Sequence, residues 1–180
     1  GEAAVRAAFP AATILRPSLV FGPEDDFFNR FAAMARVSPV LPLVGGGATK
    51  FQPVYVGDVA AAIAASLARE DSVGKSYALA GPAIFTMRQL FELILHIIGR
   101  KRLLMSMPFG LASLQASFLE WLPRPLLTRD QVRLLHYDAI AAPGAPGLTE
   151  LGITPTALEL ILPTYLDRFR RAGRLKPSPV

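Results

Sequence analysis

Residues 15–23 constrain the fold more than any other stretch of the chain. The segment that leads into them, residues 12–15, is apolar and partly β-branched, which predicts a short buried strand. Gly22-Pro23 ends that strand, and the apolar periodicity of residues 27–37 predicts a helix directly afterwards. The unit is therefore a strand, a tight turn and a helix. In open α/β sheets ligands bind beside loops that leave the carboxyl ends of strands, so this loop is the candidate site.

Three carboxylates, Glu24, Asp25 and Asp26, stand between the turn and the predicted helix. Such a cluster could serve acid–base chemistry or bind a cation. A carboxylate just ahead of a helix also accepts its free N–H groups and suits its positive end. We therefore predict that the cluster caps the helix.

The composition describes a folded domain rather than a disordered segment. The chain has 180 residues, of which 52% are hydrophobic and 18% charged, enough for one domain or part of one with a real core. The absence of cysteine excludes disulfides, thiolate catalysis and cysteine metal sites, and it fits a reducing compartment. The first residues contain Glu2 and Arg6 and no apolar stretch, so no signal peptide is expected.

The net charge is +5, with basic clusters at residues 100–102 and 168–176. Such clusters suit an anionic surface or an acidic partner, and they also suit a solvated helix face and tail. No nucleic-acid-binding motif accompanies them, so nucleic acid is not an expected partner.

The remaining pattern predicts alternating helices and strands, with turn signals between them. The first predicted elements are helix 2–9, strands 41–44 and 49–56 around a hairpin or loose turn at 45–47, and helix 59–68, which Asp58 caps. Strand 76–79, helix 87–98 with a capping box at Thr86, strand 103–107, helix 109–122 and helix 129–137 with a capping box at Thr128 follow. After a loop at 141–147, the last predicted helix is capped by Thr154, has Pro155 at its first position and runs to about 172.

Three sequence blocks carry a resemblance to a known family. Arg16, Phe21 and Gly22-Pro23 stand in register with Arg-x-x-Asn-x-Tyr/Phe-Gly-Pro, and this block resembles the loop after the catalytic helix of extended and atypical short-chain dehydrogenase/reductases. Residues 52–60 resemble the later strand-to-helix motif of that family. With the third block, residues 151–166, the combination resembles the nucleotide-binding accessory subunit of respiratory complex I and its bacterial relatives.

The resemblance implies an α/β chain made of the C-terminal end of a Rossmann-type domain, residues 1–37, and a smaller mixed α/β domain, residues 38–180. The N-terminal part of the Rossmann domain is then expected upstream of Gly1. The intact protein would bind NADP or NAD as a largely structural ligand, with Pro17, Ser18 and Leu19 beside the nicotinamide. This fragment alone is expected to bind none.

The resemblance also implies a partner and a location. The partners would be subunits of respiratory complex I, on the cytoplasmic side of a bacterial inner membrane or the matrix side of a mitochondrial one. A pure scaffold that has lost its cofactor, and an active oxidoreductase or epimerase on an apolar substrate, remain as alternatives.

The catalytic pair of the family, a Tyr with a Lys four residues later, is absent from this chain. None of its four tyrosines has Lys at that spacing, and no glycine-rich dinucleotide fingerprint occurs. Gly74-Lys75 resembles the end of a phosphate loop, but Arg69 stands where the first glycine is required, so we predict the start of a strand. His96 and His136 lack partners at metal-ligand spacing. We therefore predict no catalytic residue and no metal site.

Two positions depart from the sugar-nucleotide branch of the family. Leu19 stands where epimerases carry a substrate-contacting Asn, and Phe51 stands where they carry a phosphate-binding Arg. A site built to hydrogen-bond a sugar nucleotide loses much affinity without such partners. This leaves an apolar carbonyl substrate or no turnover.

The region 103–127 suggests a docking surface. Residues 103–119 carry no charge, yet their polar and helix-breaking residues leave the segment short of the ~20 apolar residues that span a bilayer. Such a helix packs on its own core, on a partner or at a membrane surface. Phe118 and Trp121 are the predicted docking anchors.

Overall fold

The computed structural model describes residues 1–119 and 128–170. The helices are α1 (Glu2–Ala8), α2 (Phe27–Val37), α3 (Val56–Ala68), α4 (Met87–Ile97), α5 (Phe109–Leu119), α6 (Arg129–Leu134) and α7 (Leu158–Leu166). The strands are β1 (Ile14–Pro17), β2 (Val20–Phe21), β3 (Val40–Val44), β4 (Lys50–Phe51), β5 (Val54–Tyr55), β6 (Ser76–Leu79), β7 (Phe85–Thr86) and β8 (Leu103–Met107). Short 3₁₀ turns lie at Gly45–Gly47, Glu70–Ser72, Thr149–Leu151 and Asp167–Phe169.

The strands pair mostly in parallel. In the described residues β1 pairs with β6, β2 with β5 and β3 with β8 in parallel, whereas β4 and β7 are antiparallel. Parallel neighbours need a crossover, and each of these connections contains at least one helix. The predicted mixed α/β class is confirmed.

Elements with strong local signals agree closely with the sequence. The bounds of α2, β6 and β8 are those predicted, and both capping boxes form. The hydroxyl oxygen of Thr86, for example, accepts from the N–H of Gln89 at 3.2 Å, and the Gln89 side chain accepts from the N–H of Thr86 at 2.7 Å. Helix α6 is shorter than predicted and ends at Leu134.

Of the two alternatives predicted for residues 45–47, the hairpin is wrong, and the structure has a turn without a hairpin. All three glycines have positive φ, at 59°, 72° and 75°, and they form a 3₁₀ turn. A hairpin connection returns the chain onto the preceding strand, so that the two strands pair with each other. Here the chain is redirected instead, so β3 pairs with β8 and β4 with β7.

The main core lies between α2, α4 and α7. Phe28 of α2, Phe91 and Ile94 of α4, and Leu162 of α7 are fully buried in one cluster. Partly buried aromatic rings extend this cluster to its edge, where the rings of Phe31 and Phe91 lie 4.3 Å apart between centroids. Such burial supplies most of the drive to fold, and it fixes the start of α2 beside the candidate loop.

The predicted capping role of Asp58 is wrong. Helix α3 begins earlier, at Val56, which places Asp58 in its first turn. The buried Asp58 carboxylate accepts from the backbone N–H of Thr156 at 2.7 Å and from the Thr156 hydroxyl at 2.9 Å. It therefore ties α3 to the segment that precedes α7.

The same contact corrects the start of the last helix. Thr154 and Pro155 do not begin it, because residues 153–157 are not helical and Ala157 precedes the first turn of α7. Both donors of Thr156 are directed to Asp58 rather than into a helix. The described helical structure ends with the turn at Asp167–Phe169, and the remainder of the predicted helix, from 171 onward, lies outside the described residues.

We expect Asp58→Ala to lower the free energy of unfolding by about 2–3 kcal/mol, because two charge-assisted hydrogen bonds are lost and buried donors remain unpaired. Asp71→Ala is the matched control, since Asp71 forms an exposed, solvent-screened ion pair with Arg69 and its loss should change the free energy of unfolding little. Urea unfolding measures both. Equal losses in the two variants would contradict the tie.

Candidate functional site

The loop after β2 is organised by the carboxylate of Asp25. Its Oδ1 accepts from the backbone N–H of Phe28 at 2.6 Å and of Asn29 at 3.3 Å, and its Oδ2 accepts from the N–H of Gly22 at 3.4 Å. Asp25 therefore caps α2 and closes the turn, which confirms the predicted capping role for this member of the cluster. Asp26 instead pairs with Arg30 at 2.6 Å along the helix.

The phenol of Tyr165 completes this arrangement from α7. Its hydroxyl donates to Oδ2 of Asp25 at 2.5 Å. Burial of the ring, reinforced by the neighbouring carboxylate, raises the pKa of Tyr165 far above its usual range, so the phenol stays a proton donor. Sequence reasoning missed this contact, because no local pattern links residues 140 positions apart.

The predicted nicotinamide-side residues, Pro17, Ser18 and Leu19, lie at the carboxyl end of β1 and just after it. The N–H of Ser18 donates to the carbonyl of Leu79 at 2.9 Å, and its hydroxyl donates to the carbonyl of Ala139 at 2.6 Å. The carbonyl of Leu19 accepts from the N–H of Val54 at 2.9 Å. Three separate parts of the chain therefore hold this short segment in place.

The structure divides these three residues between two pockets. Pro17 and Ser18 line a pocket of about 340 Å³ whose other walls include the small side chains of Ala78, Ala80 and Ala139. Leu19 lines another pocket of about 350 Å³. The place of Pro17, Ser18 and Leu19 beside a nicotinamide stays a prediction.

The pocket beside Leu19, hereafter the apolar pocket, brings together the two departures noted in the sequence. Both Leu19 and Phe51 line it, and the ring of Phe51 lies 6.0 Å from that of Phe27 between centroids. Helices α2 and α6 supply much of its lining. The full described lining is Leu19, Val20, Asp26, Phe27, Arg30, Phe31, Phe51, Met87, Gln131, Leu134 and Leu135.

The polar side chains in this lining are already engaged within the protein. Asp26 and Arg30 pair with each other, and the side-chain oxygen of Gln131 accepts from the N–H of Thr128 in the capping box. The described lining therefore offers mainly hydrocarbon and aromatic surface to a ligand.

The other candidates from the sequence are structural. His96 is exposed on α4, and the ring of His136 stacks on Phe109 with centroids 3.8 Å apart. Among the residues that the structure describes, no three His, Cys, Asp or Glu side chains come together in a way that could hold a metal. Gly74 lies in a turn just ahead of β6, so the predicted start of a strand is confirmed.

This chain is part of a Rossmann-type α/β fold. Its parallel strand pairs are joined by helical crossovers, and the candidate loop leaves the carboxyl end of a strand, where ligands bind in such folds. A dTDP-glucose 4,6-dehydratase from Streptomyces venezuelae, solved with NAD bound, superimposes with a TM-score of 0.62 at 19% identity. The match covers 94% of this chain and 47% of that one. The match shows that this chain shares the fold of the corresponding part of that dehydratase.

The sequence is similar to one subunit of mitochondrial NADH dehydrogenase. The chain is 36% identical to subunit 9 of the NADH dehydrogenase [ubiquinone] 1 alpha subcomplex of Arabidopsis thaliana over 96% of its length, and 38% identical to the Rattus norvegicus subunit over 94%. Both relatives are mitochondrial proteins, and the chain spans about 45% of the length of each. The resemblance to the complex I accessory subunit is confirmed. No protein-family model matches the chain.

The raised pKa of Tyr165 predicts a pH dependence of stability. An unfolded tyrosine ionises near pH ~10, whereas the folded phenol keeps its proton, so the stability from this group declines as the pH rises above about 10. Tyr165→Phe should remove that part of the decline and lower the free energy of unfolding at pH 7 by about 1 kcal/mol. Urea unfolding between pH 7 and 11 measures both effects.

Tyr137→Phe is the control, since Tyr137 is exposed and should leave the stability at pH 7 near that of the wild type. An alkaline decline that is unchanged in Tyr165→Phe would contradict the assignment.

Proposed function

We propose that the protein containing this chain is an NAD(P)-binding, non-catalytic relative of the short-chain dehydrogenase/reductases that associates with respiratory complex I. The observation that carries the proposal is the 36–38% identity to subunit 9 of the NADH dehydrogenase alpha subcomplex over nearly the whole chain. Its place would be the cytoplasmic side of a bacterial inner membrane or the matrix side of a mitochondrial one.

The cofactor part of the proposal rests on the end of β1. Pro17, Ser18 and Leu19 would lie beside the nicotinamide of NADP or NAD, with the alanine-rich pocket receiving the ring. Two hydrogen bonds, one from the N–H and one from the hydroxyl, hold Ser18 in place. Its hydroxyl oxygen therefore has a fixed position from which it can accept a hydrogen bond from a ligand. The fold relative solved with NAD bound supports a dinucleotide, and the choice between NAD and NADP stays open. The division of the chain at residue 37 also stays a prediction.

The non-catalytic part rests on this chain's own residues. None of its tyrosines has a lysine one helical turn later, and the hydroxyl of Tyr165, a buried tyrosine beside the loop, donates its hydrogen bond to Asp25. A phenol whose pKa is raised rather than lowered is a poor proton relay. In this proposal the residues of this chain that surround the site bind and position the cofactor, and they transfer no proton.

We expect the isolated chain to bind NADPH and NADH only weakly, because the glycine-rich phosphate-binding fingerprint is absent from it. Isothermal calorimetry of the isolated chain and of the full-length protein makes the comparison. The full-length protein should bind one of the two nucleotides and should not oxidise or reduce it in the presence of UDP-glucose. Micromolar binding by the isolated chain would contradict the first expectation, and turnover would contradict the second.

An oxidoreductase or epimerase acting on an apolar substrate is the second candidate function. The apolar pocket favours this second function, since Leu19 and Phe51, which stand where epimerases carry polar anchors, both line it. The upstream sequence separates the candidates. A Tyr-Lys pair together with a glycine fingerprint would favour the enzyme, a fingerprint alone would favour the structural cofactor, and neither would favour a scaffold.

The partner surface is proposed to include β8 and α5. Leu103 is 64% exposed, and Leu111 and Leu114, one turn apart on α5, are 56% and 57% exposed. Ala112 on the same helix is fully buried, so α5 packs one face on the core and leaves another open. This arrangement supports docking rather than complete burial of the helix. The predicted anchor Trp121 and the side chain of Phe118 lie outside the described residues.

Basic residues extend this surface. Lys101 is exposed two residues before the start of β8, where it suits an anionic lipid surface or an acidic subunit. Within residues 1–119 and 128–170, no helix is long and apolar enough to cross a membrane. The proposed contact is therefore one with a surface.

Leu111→Asp combined with Leu114→Asp should release the full-length protein from complex I or membranes at moderate salt, with a melting temperature within a few degrees of the wild type, because both side chains are already exposed. Leu67→Asp, at a leucine of α3 that is 83% exposed, is the control and should remain bound. Salt washes followed by immunoblotting measure release. Unfolding of the double variant would show that this face of α5 packs in the core. A folded double variant that stays bound to complex I or membranes would contradict docking through this face.

A further inference from the structure

We propose that the apolar pocket binds the hydrocarbon chain of a lipid-like ligand, with the polar head of that ligand at the rim. The inference goes beyond the proposed function, since holding such a chain requires neither turnover of the cofactor nor a contact with complex I.

The walls of the pocket have the chemistry of a hydrocarbon site. Phe27 is the central wall residue, and its ring lies 4.9 Å from that of Phe31 and 6.0 Å from that of Phe51, between centroids. These rings form a rigid apolar surface, while Met87 adds a side chain that adapts to irregular shapes. A volume of about 350 Å³ falls in the range of small-molecule sites.

The polar residues of the lining argue against a phosphate-bearing or sugar ligand inside the pocket. The guanidinium of Arg30 is neutralised by Asp26 at 2.6 Å, on the same helix. The side-chain oxygen of Gln131 is held by the helix cap. A sugar nucleotide placed here would lose its hydrogen bonds to water without gaining matched partners in the protein. A hydrocarbon chain makes no hydrogen bonds to water and so loses none.

The pocket is open at one side, on α6. Leu134 lines it and is 70% exposed, and Gln131 on the same helix is also exposed. Helix α6 contacts α5, the helix that carries the open leucine face described above. A chain that enters over Leu134 can therefore leave its polar head near Gln131 and the Asp26–Arg30 pair, which remain accessible at the rim.

The test uses the full-length protein and displacement of the fluorescent fatty acid cis-parinaric acid. Decanoic acid, dodecanoic acid and farnesol are the competitors, each below its critical micelle concentration, and UDP-glucose is the comparison ligand. Each buried methylene is worth about a fourfold gain in affinity, so dodecanoic acid should compete roughly tenfold or more better than decanoic acid. If farnesol competes more strongly than either acid, the bound chain is an isoprenoid. If the acids compete more strongly than farnesol, it is an acyl chain.

Variants locate the binding. Leu19→Asn should weaken binding of dodecanoic acid about tenfold or more, because it places an amide in the hydrocarbon lining. Leu134→Asp should weaken it severalfold at the rim, where the substitution leaves the fold intact, and Leu67→Asp serves as its matched exposed control and should change nothing.

Three results would overturn the proposal. They are an absence of parinaric acid binding, equal effects of Leu134→Asp and Leu67→Asp, and competition by UDP-glucose as strong as that of dodecanoic acid. Each leaves nucleotide binding and the release of the protein from complex I measurable, so a failure here is distinct from a failure of the proposed function.

Discussion

The carboxylate of Asp25 is the interaction on which the rest of the site depends. It accepts hydrogen bonds from the start of α2, from the turn at Gly22 and from the phenol of Tyr165, and so joins this turn and helix start to a residue of α7 that lies 140 positions away in sequence. A partly buried carboxylate with this many donors is well stabilised, and removing it would leave each donor unpaired. Because α2 starts where Asp25 caps it, Phe27 and Phe31 take their places in the apolar pocket.

The site that results has two pockets of different character. The end of β1 is fixed by hydrogen bonds to Leu79, Ala139 and Val54, and it separates an alanine-rich pocket from the apolar pocket. In a sugar-nucleotide enzyme the second pocket would need polar anchors for sugar and phosphate. Leu19 and Phe51 supply none here, and the ionic groups nearby are paired with each other. The chain thus retains the fold of an enzyme class while its lining suits an apolar ligand.

Local signals in the sequence predicted the elements that depend on them. Helix α2, strand β8 and the Thr86 capping box follow from apolar periodicity and from side chains within a few residues of each other. The sequence also identified Leu19 and Phe51 as departures. That these two residues share one pocket is a property of the fold, since β4 and the end of β1 meet there only through tertiary packing.

The errors came from contacts between distant residues. The glycine turn at 45–47 resembled a hairpin, but the partners of β3 and β4 lie far along the chain. Asp58 had the position of a helix cap and is instead bonded to Thr156. A pattern within one segment cannot reveal a partner about a hundred residues away, and such long-range ties set where α7 begins.

We propose that this fold belongs to a binding subunit held on complex I, and imaging of the complex tests this proposal most directly. Complex I is purified from cells that express the full-length protein, and its structure is determined by electron cryomicroscopy. The account predicts density for this α/β fold on the complex, with α5 at the membrane-facing surface and a dinucleotide beside Ser18. Complex I that retains its other subunits but shows no density for this fold would contradict the account.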